Sequence, residues 1–212
     1  VPFAGYSMPV QYPSGITAEH HAVRTACGLF DVSHMGEFMV RGPGALDLVQ
    51  RISVNDAATI EIGQAQYSAM CLESGCVIDD LIIYRFEDRY MLVINASNME
   101  KDWAWVQRHA VDFEVDVEDV SNQTALLALQ GPNAREILRP LADLDVDTVK
   151  YYRFREGTVA GVPAVISGTG YTGEDGFELY VPADGAAELW ATLLAAGSEQ
   201  GLIPAGLGSR DS

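Results

Sequence analysis

Lysine is almost missing from this sequence. Only Lys101 and Lys150 occur in 212 residues, and 13 basic against 30 acidic side chains give a formal net charge of −17. A field of that sign repels phosphate backbones and anionic bilayers, so neither nucleic acid nor a membrane surface is expected as a partner. Cysteine is scarce too. Cys27, Cys71 and Cys76 form an odd set with no C-x-x-C spacing, which encodes neither a disulfide framework nor a zinc site and suits a reducing compartment. No apolar run approaches the roughly 18 residues that a membrane span requires. A basic leader, a signal-type apolar segment, internal repeats and Pro- or Ser-rich linkers are also lacking, and the expected location is the cytoplasm. The chain opens at Val1 without methionine and stops at Gly208-Ser209-Arg210-Asp211-Ser212, just after a glycine-rich loop, so a fragment of a longer protein is expected.

What is present is an ordinary globular composition, 48% hydrophobic and 20% charged, long enough for a sizeable core in one or two domains. Thr17 is placed to cap a helix over Ala18–Ala26 that Gly28 ends. A strand (Glu37–Val40), a helix (Ala45–Ile52), three strands (Gln66–Leu72, Val77–Phe86, Tyr90–Asn95) and a helix capped by Asn98 follow. Alternation of Phe113, Val115 and Val117 with acidic residues predicts a half-exposed strand. An apolar strand Ala125–Leu129 leads to a helix opened by Pro132. Strands at Val159–Ser167 and Phe177–Val181 and a helix from Asp184 to about Ser198 complete the pattern. The fold class is α+β, mostly antiparallel sheets with flanking helices.

The segment richest in chemistry is Cys76-Val77-Ile78-Asp79-Asp80-Leu81-Ile82-Ile83-Tyr84, an apolar strand with two aspartates in its middle, where aspartate is disfavoured. Alternation puts Asp79 with Val77, Leu81 and Ile83, and Asp80 with Ile78, Ile82 and Tyr84. One of the two carboxylates therefore points toward a core or a cavity. A hairpin tip at Ser74-Gly75 sets Asp80 opposite Ala69 and Tyr67 opposite Ile82, so that Tyr67, Asp80 and Tyr84 share a surface. Burying an unpaired ionised carboxylate is costly, which leaves a functional acid or a hydrogen-bonded structural one.

Gly168-Thr169-Gly170-Tyr171-Thr172-Gly173 fits G-x-G-x-x-G after a strand, as a dinucleotide fingerprint does. The next residues, Glu174 to Val181, alternate with period two and form a strand, so no helix N-terminus is offered to a pyrophosphate. A glycine-bent hairpin fits better, with Phe177, Leu179 and Val181 on one face and Glu178 and Tyr180 on the other. By alternation alone Glu178 is expected in solvent, with a pocket-lining place as the alternative. The four histidines show no metal-pair spacing, and no nucleophile elbow G-x-S-x-G occurs.

Several strings are distinctive together: Pro2-Phe3-Ala4-Gly5-Tyr6, Phe30-Asp31-Val32-Ser33-His34-Met35-Gly36-Glu37, Ile78-Asp79-Asp80-Leu81, Thr169 through Leu179, and Ala205-Gly206-Leu207-Gly208-Ser209-Arg210-Asp211. In this order and over the full length, the chain resembles the aminomethyltransferase (T-protein) family of the glycine cleavage system. The resemblance implies a tetrahydrofolate-dependent transferase of one-carbon metabolism. Such an enzyme takes the aminomethyl group from the lipoyl arm of the H-protein, releases ammonia and leaves 5,10-methylenetetrahydrofolate. It implies a discontinuous folate-binding domain of residues 1–38 and 140–212, a ferredoxin-like domain of 39–139, and a C-terminal β-domain absent here. Tetrahydrofolate is the co-substrate, and no metal is implied. By match to the family's motifs, Asp80 is the catalytic aspartate beside folate N10. Tyr67, Tyr84 and Tyr171 surround the folate, Glu178 binds the pterin, and Ile82, Met35, Met39 and Arg210 lie near the ligand.

The chain departs from the family's usual pattern at Gly168, where arginine is common, and at Cys76, where glycine is common. Two other functions fit parts of the pattern. One is a folate-dependent demethylating domain of the sarcosine or dimethylglycine dehydrogenase type. The other is a non-catalytic folate-binding module, whose K-G-C-Y-x-G-Q-E string is absent.

Overall fold

The computed structural model describes residues 1–212 in full. In chain order the strands and helices are β1 (Pro2–Phe3), β2 (Tyr6–Ser7), α1 (Ile16–Thr25), β3 (Cys27–Asp31), β4 (Gly36–Arg41), α2 (Ala45–Ile52), β5 (Gln64–Cys71), β6 (Val77–Arg85), β7 (Arg89–Ile94), α3 (Met99–Ala110), β8 (Asp116–Asp119), β9 (Thr124–Gln130), α4 (Ala134–Leu138), β10 (Phe154–Val159), β11 (Val162–Ser167), β12 (Gly176–Pro182), α5 (Ala186–Ala196), β13 (Leu202–Pro204) and α6 (Leu207–Asp211). The fold is α+β, with antiparallel pairing throughout except between β13 and β3. No helix is long and apolar enough to cross a membrane.

Two compact units emerge, Val1–Ser33 with Gln123–Ser212, and His34–Asn122. The division falls earlier at both ends than the boundaries near 38 and 139 drawn from sequence. At the first boundary the cause is β4, which pairs with β7 and β8, and at the second it is β9 and α4, which supply Leu127, Leu129, Ile137 and Leu138 to the core of the first unit.

The first unit holds a six-stranded sheet in the order β10-β11-β12-β9-β3-β13. Phe177, Leu179 and Val181 of β12 pair with Leu129, Leu127 and Ala125 of β9, and this face packs against Leu189 and Leu193 of α5. The opposite face carries a row across four strands, Ser167, Glu178, Ala128 and Phe30. Where alternation left Val159–Ser167 as one strand, the chain forms a hairpin of β10 and β11. Ala160 and Gly161 both take positive φ, 51° and 82°, as a two-residue turn between twisted strands demands. Helix α1 begins before the expected Thr17 cap, at Ile16 with Gly15 at its N-cap. The carboxylate of buried Glu19 takes over the loop-binding role, accepting from the Tyr12 N–H at 2.5 Å and the Gly206 N–H at 2.9 Å.

The second unit is a five-stranded sheet in the order β5-β6-β7-β4-β8. Without β5 the run β4-α2-β6-β7-α3-β8 has the βαββαβ connectivity of a ferredoxin-like fold, and β5 is added at the edge as the hairpin partner of β6. Leu48, Val49 and Ile52 of α2 and Val106 of α3 bury against Phe38, Val40, Leu81 and Ile83. The spacing of these helix residues is that of a single apolar face. The other sheet face is left to the side chains described next.

Candidate functional site

Each unit carries its own group of candidate side chains. In the second unit the β5–β6 register places Tyr67 opposite Ile82 and Asp80 opposite Ala69, the pairs expected from sequence, but next to the turn Cys71 faces Val77 and an irregularity between Met70 and Cys71 supplies the one-residue shift. The Tyr67 hydroxyl, on a half-exposed ring, donates to Asp80 Oδ2 at 2.5 Å. Tyr84 follows on the same face and is buried. The face extends across β7 onto β4 in two rows, one of Tyr67, Ile82, Val93 and Glu37, the next of Tyr84, Met91 and Met39. Met35 stands apart, on the turn that precedes β4.

Two members of this group were not picked out by sequence. Asn95 follows β7 directly and, one step beyond the Leu81–Ile94 pair, reaches Asp80: its amide donates to Asp80 Oδ1 at 2.6 Å. The β6–β7 register is the signal that points to it. Glu37 is 1% exposed, one of its carboxyl oxygens has no partner, and burial followed by the charge of Asp119 pushes its pKa up to about 9. It is an uncharged acid at neutral pH.

In the first unit Glu178 is 6% exposed, which overturns the expectation of a solvated carboxylate. Alternation gave its face correctly, but Thr169 and Tyr171 of the loop after β11 come back beside it. Burial pushes the Glu178 pKa upward, and a hydrogen bond from the Thr169 hydroxyl opposes the shift. Thr169 also lies 2.9 Å from the Ser167 hydroxyl, making a buried polar cluster around one carboxyl group. Tyr171 packs edge-on against Phe30, and the Arg210 guanidinium stands 5.4 Å over its ring. Its phenol is pushed above the usual range by burial and then by the Glu178 charge, with Arg210 acting the other way. Tyr152 is raised by burial and by the charges of Tyr151 and Glu178. Thr169, Ser167, Phe30 and Tyr152 were also missed, because they reach this place from separate strands and loops.

Three glycines of the 168–176 loop, Gly168, Gly170 and Gly176, stand where a Cβ would collide with neighbouring atoms, and Gly173 has φ 78°. The side chain of buried Gln130 fills the loop, its amide nitrogen Nε2 donating to Thr169 O at 3.2 Å while Oε1 accepts from the Thr172 hydroxyl at 2.8 Å. A Cβ on Gly176 would stand 2.6 Å from Leu129 O and 2.5 Å from Gln130 Nε2. Gly176→Ala is therefore expected to cost about 1–3 kcal/mol, as overpacking does, and urea unfolding of the variant checks it. Gly168 is explained in the same way: its Cβ would fall 2.4 Å from Lys150 O, so the backbone of this chain occupies the space that a side chain would need.

Fold and site define an α+β protein with a ferredoxin-like unit, one buried acid beneath a glycine loop and a second acid held by a tyrosine and an asparagine. Residues 1–212 match the family described as the GCVT N-terminal domain, and the chain belongs to that family. It is 55% identical over 213 residues to an aminomethyltransferase of Moorella thermoacetica, covering 100% of this chain and 58% of that protein. An aminomethyltransferase of Geobacillus thermodenitrificans is 53% identical over 214 residues, again covering 58% of the relative. The chain thus spans less than two thirds of the length of these relatives. Among solved structures, the glycine cleavage system aminomethyltransferase T from Bartonella henselae superposes with a TM-score of 0.90 at 38% identity, over 100% of this chain and 56% of that one.

Proposed function

We propose that this chain provides the tetrahydrofolate-binding and acid–base part of an aminomethyltransferase of glycine catabolism, working in the cytoplasm with the lipoylated H-protein as partner. The observation that carries the reading is the pair Tyr67 and Asp80, with Asn95 holding the other carboxylate oxygen, in a chain 55% identical to a curated aminomethyltransferase. Glu178 fits a pterin: the ligand brings amino and ring N–H donors, and a buried carboxyl with one hydroxyl donor has acceptor capacity left. Tyr171 and Arg210 of the first unit, and Tyr84, Ile82, Met35 and Met39 of the second, are assigned to folate binding by the same reading.

The transfer balances as follows. The C–N bond of the lipoyl-bound aminomethyl group breaks and ammonia leaves. A folate amine attacks the resulting cation, and the C–S bond breaks as the second folate nitrogen closes the ring. The two protons given up by the folate nitrogens end on ammonia and on the lipoyl thiol. Asp80 hydrogen-bonds the folate amine and orients or deprotonates it for attack, and proximity contributes much of the rate.

The test is an anaerobic assay of the chain within its full-length protein, scoring ammonia and 5,10-methylenetetrahydrofolate with aminomethylated H-protein as donor. Formation of both products supports the reading. Product from sarcosine or dimethylglycine, with none from H-protein, assigns the chain to the demethylating class instead. Folate binding without any transfer makes it a binding module.

A further inference from the structure

Behind Asp80, on the opposite face of β6, lies a pair of carboxyl groups that the proposed chemistry leaves unused. Asp79 is buried beside Leu81 and Ile83, and Asp102, in the first turn of α3, is 0% exposed. The two side chains stand within hydrogen-bonding reach of each other. Ionised carboxylates only accept, and neither Asp102 oxygen has a donor. The adjacent cation does not fill that role. Lys101 Nζ is 4.0 Å from Asp102 Oδ1, beyond hydrogen-bond range, and donates instead to Ile78 O at 2.6 Å.

One proton between the two acids turns an acceptor–acceptor contact into a hydrogen bond and gives one Asp102 oxygen a partner. Burial, then the hydrogen bond and charge of Asp79, push the Asp102 carboxyl up to about 8, with Lys101 opposing and Asp80 adding a smaller push. At neutral pH Asp102 therefore donates to Asp79. On its other side Asp79 receives Asn95, whose Nδ2 lies 3.2 Å from both Asp79 oxygens and 2.6 Å from Asp80 Oδ1. An amide has two N–H groups, and these two acids take both.

We propose that Asp102 is a positioning residue for Asp80: its proton, shared with Asp79, fixes the acceptor that Asn95 binds, and Asn95 in turn aims the Asp80 carboxylate. The inference rests on the role assigned to Asp80 above. As pH rises through the midpoint, Asp102 becomes a second buried anion facing Asp79 and Asp80 from α3, with Lys101 as its only adjacent cation. The Asn95 bridge then loosens.

The test follows the Asn95 side-chain amide by 1H–15N NMR in the full chain from about pH 6 to about pH 10. Two well-separated amide hydrogens should shift together with a midpoint near about 8. Asp102→Asn supplies a neutral donor and should keep the separation while abolishing the midpoint. Asp102→Ala should move the pair toward free-amide positions at every pH; if that variant does not fold, Asp102→Asn decides alone. Flat Asn95 signals in the parent chain, or a midpoint that persists in Asp102→Asn, overturn the proposal. No folate enters this measurement, so its outcome is separate from that of the transferase assay. In that assay kcat for Asp102→Ala should fall roughly tenfold to a hundredfold with KM for folate nearly unchanged, because a misplacement of about 1 Å can cost a hundredfold. Asp102→Asn should recover most of the loss, and equal losses in the two variants would overturn the positioning role.

Discussion

Asp80→Asn should bind tetrahydrofolate within about threefold of the parent protein and lose about 10²- to 10⁴-fold in turnover, the range of a positioned acid–base group. The substitution preserves shape. An amide oxygen can still accept from the Tyr67 hydroxyl, which now donates to Asp80 Oδ2 at 2.5 Å, but the amide NH2 gives up the bond from Asn95 and cannot take a proton from the folate amine. Binding is carried by Glu178 and the aromatic side chains, so affinity and rate should separate. Steady-state kinetics of the full-length variant with aminomethylated H-protein, beside a folate titration, checks this. Turnover equal to that of the parent would remove Asp80 from the mechanism.

Glu37→Gln should change the pH dependence of stability more than any other single substitution on the sheet of the second unit. The Glu37 pKa rises from 4.5 to about 9 on folding. An acid whose folded-state pKa is raised contributes stability that is fully present below the unfolded value and lost as pH climbs through the folded one. The window therefore runs from pH 4.5 to about 9. At about 1.36 kcal/mol per pKa unit, the difference across it is several kcal/mol, as an upper bound. Glutamine carries no such proton. The variant should lose less stability between acid and alkaline pH and exceed the parent by about 2–5 kcal/mol at the alkaline end. Asp102 adds a decline of the same sign in both proteins, so the difference between the two curves isolates Glu37. Urea unfolding across the window measures it, and parallel curves would show that Glu37 keeps its charge in the folded chain.

The β5–β6 hairpin shows what local pattern can carry. A tip at Ser74-Gly75 and period-two alternation give the observed alignment of Tyr67, Asp80 and Tyr84, although the register beside the turn is offset by one and an irregularity between Met70 and Cys71 restores it. Glu178 shows the limit. Its face was legible, but its burial depends on the loop after β11 bringing Thr169 and Tyr171 back beside it, a tertiary contact that alternation does not encode. Ala160-Gly161 hid a hairpin because alanine gives no sign that it will adopt positive φ. The boundary at Asn122 was illegible for a similar reason: β9 follows β8 in sequence but finds its hydrogen bonds with β3 and β12. Gln130 and Asp102 reach their partners across long sequence separations, whereas Asn95 follows from the β6–β7 register. No spacing rule connects Gln130 to Thr172, or Asp102 to Asp79.

The central claim is that these residues hold a folate through Glu178, and calorimetric titration with tetrahydrofolate tests it most directly. It would be done anaerobically on chain shown by circular dichroism to be folded. The account predicts saturable single-site binding by the chain. It also predicts a loss of roughly a hundredfold in Glu178→Ala, since a buried carboxyl group serving two ligand donors contributes about 3 kcal/mol, and its removal leaves those donors unpaired. Equal affinity in the two folded proteins, or no binding by the folded parent chain, would contradict it.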